Sequence, residues 1–144
     1  MDRSTELDAP AEKVWAAVKT PRAFRFVTKG LLTMPAIADR ANDWVEGETV
    51  TGWVFLFGLV PFSRHRLRFA EIDDASRTLR SNEGGGLLRK WDHDIEVTPL
   101  GENRCLYRDR IELEAGLVTP LIWIWARWFY RTRQQRWRNL SVTL

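Results

Sequence analysis

From Leu32 to Leu113 the sequence alternates apolar and polar side chains with a period of two. Gly- and turn-rich breaks divide this stretch into about six segments, which constrains it to antiparallel sheet. The clearest alternations are Thr51, Trp53, Phe55, Phe57; then His65, Leu67, Phe69; then Trp91, His93, Ile95, Val97; then Cys105, Tyr107, Asp109, Ile111, Leu113. Between them stand Arg64, Arg66 and Arg68, then Lys90, Asp92, Asp94 and Glu96, then Arg108, Arg110 and Glu112. One face is wet and the other covered, as in an antiparallel sheet with a single packed side.

The cover comes from the end of the chain. Thr119-Pro120 is a helix start, and no Gly or Pro follows as far as Leu144. Ile122, Ala126, Phe129, Arg133, Trp137 and Leu140 fall on one stripe of that helix, while Arg127, Arg131, Arg136 and Arg138 cluster late, where positive charge suits a helix C-terminus. The first ten residues of the helix are apolar nearly all round and are expected to be enclosed or to face a partner. Ahead of the sheet, Arg3 to Leu7 reads as a short first strand. Asp8 is placed to cap a helix with Pro10 and Glu12 in its first turn and Val14, Trp15 and Val18 on its apolar side. A second short helix runs from Pro21 to about Lys29 and ends at Gly30.

The 144 residues are expected to form one domain, residues 1–144, without repeats or linkers. Eight Trp in so short a chain is more aromatic surface than a core usually needs, so aromatic side chains are being presented to a core or a ligand. The net charge of +3 is weak evidence for an acidic partner. A lone Cys105 excludes an intramolecular disulfide, and Met1 followed by Asp2 and Glu6 lacks the basic start of a signal peptide, so a cytoplasmic location is expected. The longest apolar run, Leu121 to Tyr130, is interrupted by Arg127 and falls well short of the roughly 20 residues that cross a bilayer.

The order of strand, two short helices, six-stranded meander and long C-terminal helix resembles the START-related superfamily, which includes lipid-transfer domains, pollen-allergen-like proteins and polyketide cyclases. The resemblance is carried by Leu7-Asp8-Ala9-Pro10-Ala11-Glu12-Lys13-Val14-Trp15, by Glu71-Ile72-Asp73, Trp91-Asp92-His93 and Tyr107-Arg108-Asp109 in strands, and by the helix from Thr119-Pro120 to Tyr130-Arg131-Thr132-Arg133-Gln134-Gln135-Arg136-Trp137. It implies an α+β helix-grip fold, a curved antiparallel sheet of about six or seven strands around the last helix, with a cavity between them. It implies no fixed catalytic motif, since function belongs to the site and not to the scaffold.

A hairpin turning over Thr98 to Arg104 would pair Val97 with Cys105, Ile95 with Tyr107 and His93 with Asp109. An imidazole and a carboxylate then lie side by side on the covered face, where neither sits cheaply without the other. As a functional dyad, Asp109 orients His93, which acts as general base or as donor to a ligand carbonyl, with Tyr107 and Glu83 assisting. As a structural pair, the same contact fixes strand register. His65 alternates inward beside the Pro61 turn, at the cavity mouth. Glu83 follows Leu79 and Ser81 on the same face, and reads either as an inward rim group or as a solvated hairpin-end carboxylate. Gly84-Gly85-Gly86 is a hairpin turn and not a phosphate loop, because no helix follows it.

Trp53, Phe55, Phe57, Leu67, Phe69 and Trp91 form the expected apolar lining, joined by Ile111 from the sheet and by Trp125 and Phe129 from the helix. Two His and one Cys far apart in sequence give no metal-ligand spacing, and no metal or other cofactor is expected. Cys105 is expected to be a buried, inert thiol. The ranking is a carrier or sensor of an apolar or amphipathic small molecule first. A cyclase- or dehydratase-like enzyme using His93 and Asp109 comes second, and an interaction module working through the terminal helix third. The late arginines with Trp128 and Trp137 suit phosphates, but acidic residues elsewhere dilute that reading and nucleic acid is not expected as a partner. Exposure of Trp123, Trp125 and Trp128 would favour a homodimer, their burial a monomer.

Overall fold

The structure is a computed structural model and describes residues 1–144. Its seven strands are β1 (Asp2–Leu7), β2 (Leu32–Thr33), β3 (Thr49–Leu56), β4 (Val60–Asp73), β5 (Thr78–Gly85), β6 (Leu88–Gly101) and β7 (Arg104–Glu114). They form one antiparallel sheet in the order β1-β7-β6-β5-β4-β3-β2. Helices α1 (Ala11–Val18) and α2 (Pro21–Thr28) lie between the edge strands in sequence, α3 (Pro35–Ala38) lies between β2 and β3, and α4 (Thr119–Ser141) follows β7. Register shifts at Val54/Phe55, Phe69/Glu71, Glu83/Gly85 and Pro99/Gly101 mark bulges, the irregularities that bend strands and let a sheet curl around a helix. This is the helix-grip fold.

Local chemistry sets the helix ends. Thr20 caps α2, its Oγ1 accepting from the Ala23 N–H at 3.2 Å, and Pro21 supplies the first turn. Gly30 follows with φ of 74°. Asp8 does not cap α1. The cap position is Pro10, without a side-chain hydrogen bond, because the Pro ring already fixes the extended backbone that enters the helix. Thr119 Oγ1 accepts from the Ala115 N–H at 2.9 Å, tying the start of α4 to the end of the sheet.

The covered face of β4, β6 and β7 has the phase read from the sequence: Ser63, His65, Leu67 and Phe69, then Trp91, His93, Ile95 and Val97, then Cys105, Tyr107, Asp109 and Ile111 are all buried. β3 has the opposite phase. Val54 is buried, whereas Trp53 is 52% exposed and Phe57 53% exposed. The reason is Gly52, a covered-face position without a side chain: a Cβ there would come within 2.8 Å of Ala36 Cβ, because α3 lies directly on it. An alternation whose inner member is glycine is outweighed by its aromatic neighbours. Phe57 is not in a strand at all. It and Gly58 have φ of 56° and 74°, and Leu59 N–H donates to Leu56 O at 3.1 Å, so they are the central residues of a tight hairpin turn.

On α4 the buried residues are Ala126, Phe129, Tyr130, Arg133, Gln134, Trp137, Leu140 and Ser141. Its first turns are only half enclosed: Ile122 and Trp125 pack inward, while Leu121, Ile124, Trp123 and Trp128 remain exposed. No helix is long and apolar enough to cross a membrane.

Candidate ligand cavity

Between the sheet and α4 lies a cavity of about 340 Å³, lined by 29 residues, of which 22 are hydrophobic. β4, β5 and β6 supply Leu67, Phe69, Leu79, Trp91 and Ile95, α4 supplies Trp125, Phe129, Tyr130 and Trp137, and α2 and α3 supply Val27 and Ile37. The loop before β3 closes one end. Trp44 donates its indole N–H to Val18 O at 3.0 Å and stacks on Phe69 at 5.1 Å. The Gly47 N–H donates to Phe69 O at 2.7 Å, and the Phe69 N–H to Glu48 O at 3.0 Å, holding that loop against β4.

Two imidazole–carboxylate pairs interrupt this apolar surface. His65 Nε2 lies 2.9 Å from Glu83 Oε1, and Ser81 Oγ donates to Glu83 Oε2 at 2.8 Å. Glu83 is thus an inward, partnered group and not a solvated hairpin end. Its neighbour β4 accounts for that: Leu67 and Glu83 are directly opposed, which puts Glu83 beside His65 on the same face. Burial pushes the Glu83 pKa up. The hydrogen bond and charge of His65, the charge of His93 and the Ser81 hydroxyl outweigh it and hold the carboxyl below its ordinary value.

The second pair is built deeper. His93 Nε2 lies 2.7 Å from Asp109 Oδ1, although the register is not the expected one: His93 opposes Ile111, Ile95 opposes Asp109 and Val97 opposes Tyr107. Gly101 pairs with Arg104, so the turn is tighter than a Thr98 to Arg104 loop, and a bulge at Leu100 takes up the slack. The displacement is two residues. A shift of two leaves every side chain on its own face, and the pair forms on the diagonal. Tyr107 Oη donates to Asp109 Oδ1 at 3.1 Å, and Gln134 Nε2 donates to Asp109 Oδ2 at 3.1 Å and to Arg3 O at 2.9 Å, stapling α4 to β1 and β7. Burial raises the Asp109 pKa, but the charge of Arg133, the contact with His93 and the Gln134 amide together lower it.

Of the residues singled out from the sequence, His65, Leu67, Phe69, Glu83, Trp91, His93, Trp125 and Phe129 lie in the cavity wall. Trp53, Phe55 and Phe57 do not, for the reasons of phase and turn given above. Tyr107, Asp109 and Ile111 are buried behind the wall, Tyr107 against Trp137 at 5.1 Å between ring centroids. Cys105 is fully buried, and burial pushes its thiol up to about 11, as an unreactive cysteine requires. Most of the wall escaped the sequence reading, including three of its polar or aromatic groups. Tyr130 Oη accepts from the Trp91 indole N–H at 3.0 Å, Trp44 sits in a loop without periodicity, and Arg133 is a buried cation. The signal for Arg133 was its place on an otherwise apolar stripe, where charge is rarely buried without a partner.

The fold is shared with solved proteins of low sequence identity. A START superfamily protein from Mycobacterium smegmatis superposes with a TM-score of 0.76 at 15% identity, over 99% of this chain and 97% of that one. A protein from Chromobacterium violaceum gives 0.72 at 16%, over 98% and 95%. Norcoclaurine synthase from Thalictrum flavum, solved in complex with dopamine and hydroxybenzaldehyde, gives 0.69 at 14%, over 99% and 86%. At these identities the likeness establishes the START-related fold and nothing finer. No curated protein matches the sequence significantly. Residues 5–140 match the family described as a domain of unknown function, DUF8410, and the chain belongs to that family.

Proposed function

We propose that this protein binds one apolar or amphipathic small molecule between its sheet and α4, as a carrier or sensor. The observation that carries the reading is the composition of the wall, 22 hydrophobic residues of 29 around about 340 Å³, with a few polar groups, among them His65, Glu83, His93 and Arg133. An apolar cavity with a small number of convergent polar groups is the usual form of a ligand site, and the volume lies at the lower end of the range for such sites. It is about twice the ~150 Å³ that accommodates benzene in an engineered protein cavity, which suits a one- or two-ring compound or a medium-length chain and not a two-chain lipid.

The test is mass spectrometry of an organic extract of the purified protein, beside Leu67→Trp, which fills the cavity from β4. A compound enriched in the wild type and absent from a folded Leu67→Trp protein is the expected result. Failure of the neutral fluorophore N-phenyl-1-naphthylamine to bind the wild type any better than Leu67→Trp would overturn the reading. If the recovered compound is converted on incubation, and His93→Gln stops the conversion without loss of binding, the cavity is an enzyme's.

A further inference from the structure

The polar groups around the cavity are unevenly spent. Asp109 accepts from His93, Tyr107 and Gln134, and Glu83 from His65 and Ser81, so both carboxylates are occupied. The donors are not. Arg133 is 8% exposed, yet its nearest carboxylate contact is Asp109 Oδ1 at 4.0 Å, beyond hydrogen-bond length, and its Nε has no partner. Trp125 Nε1, Trp137 Nε1, Ser63 Oγ and His65 Nδ1 are likewise buried without partners, and all five residues belong to the cavity wall. A guanidinium has five N–H donors and no acceptor, and leaving it half-satisfied in an apolar setting is costly. The buried carboxylates Asp109 and Glu83 favour its charged form, raising its pKa against the effect of burial.

A wall whose carboxylates are occupied while its guanidinium and two indole N–H groups are free is complementary to a molecule that brings acceptors. Resting on the small-molecule reading above, we infer that the ligand is an apolar carboxylate and that Arg133 on α4 is the group that pairs with it. A carboxylate accepts two parallel N–H bonds from one guanidinium, and such charge-assisted pairs are roughly twice as strong as neutral ones. The apolar body of the ligand then lies along Leu67, Phe69 and Ile95.

Competition against bound N-phenyl-1-naphthylamine tests this with three shape-matched probes: 2-naphthoate, the neutral 2-acetylnaphthalene and the cationic 2-naphthylmethylamine. The wild type is expected to prefer 2-naphthoate by about tenfold or more over the ketone, a preference lost in Arg133→Gln and partly kept in Arg133→Lys. Equal affinities for the acid and the ketone in the wild type, or a preference for the amine, overturn the inference while leaving the small-molecule reading intact. That comparison needs no variant to fold. If neither the fluorophore nor any probe binds, the small-molecule reading falls and this inference falls with it.

Discussion

Asp109 is the side chain on which most of the buried polar structure converges: fully buried, bonded to His93, Tyr107 and Gln134, and the nearest anion to Arg133. Replacing it with Asn keeps the shape and removes the charge that His93, Tyr107 and Gln134 contact. Hydrogen bonds to a charged group are worth about 1.5–3 kcal/mol, and urea unfolding of Asp109→Asn at pH 7 should show a loss of that order. The pH dependence has a definite sign. Because the folded-state pKa of Asp109 lies below the ordinary value, its contribution is complete above an unfolded pKa of about 3.9 and is lost as pH falls through the folded value. The stability gap between wild type and Asp109→Asn should therefore narrow on acidification below about pH 4. A gap unchanged down to about pH 3 would mean that the carboxylate charge does not stabilise the fold.

The β5–β6 turn is the element in which backbone geometry is tightest. Gly85 has φ of 140°, and a Cβ there would lie 2.1 Å from Arg64 O, inside the neighbouring strand's backbone. Since backbone cannot swing aside as a long side chain can, Gly85→Ala is expected to cost about 1–3 kcal/mol or more from strain and overpacking. Gly101, at the β6–β7 turn, has no positive φ, and a Cβ added to it would meet nothing within 4 Å, so Gly101→Ala should fall within about 0.5 kcal/mol of wild type. Chemical denaturation of the pair separates the two; equal costs would show that β5 does not press on β4 as described. The turn also bears on the cavity wall, because it ends the strand that brings Ser81 and Glu83 beside His65.

At the scale of the molecule, the first strand pairs with the last: Asp2 lies opposite Arg110 and Leu7 opposite Cys105, and Gln134 of α4 reaches the Arg3 carbonyl. The sheet cannot be completed until both ends of the chain have met, so loop-closure entropy is spent before the corresponding contacts form. Refolding followed by tryptophan fluorescence is expected on a timescale of about milliseconds to seconds, as for other sheets dominated by non-local pairing. Microsecond refolding would contradict that view of the assembly. The same arrangement accounts for the cavity: α4 is held at its C-terminal half by Trp137, Gln134 and Arg138, whereas its N-terminal half spans the open side of the sheet and meets it through Ile122, Trp125 and Phe129.

The alternations at β4, β6 and β7, the helix start at Thr119-Pro120 and the inward face shared by His65, His93 and Asp109 were legible in the sequence, because side-chain period and turn chemistry are local properties. A two-residue error in register left the His93–Asp109 pair intact for the same reason, since parity alone decides the face. The phase of β3 was hidden because Gly52 contributes no side chain and the helix that fills its place, α3, is a single turn without a periodic signature. What only the tertiary structure decided is which donors and acceptors meet. That Glu83 turns inward to His65, and that Arg133 stands buried with its Nε unpartnered while Asp109 is fully occupied, depends on how closely α4 and the strands approach one another, a distance set by packing across the whole core and written in no local stretch of sequence.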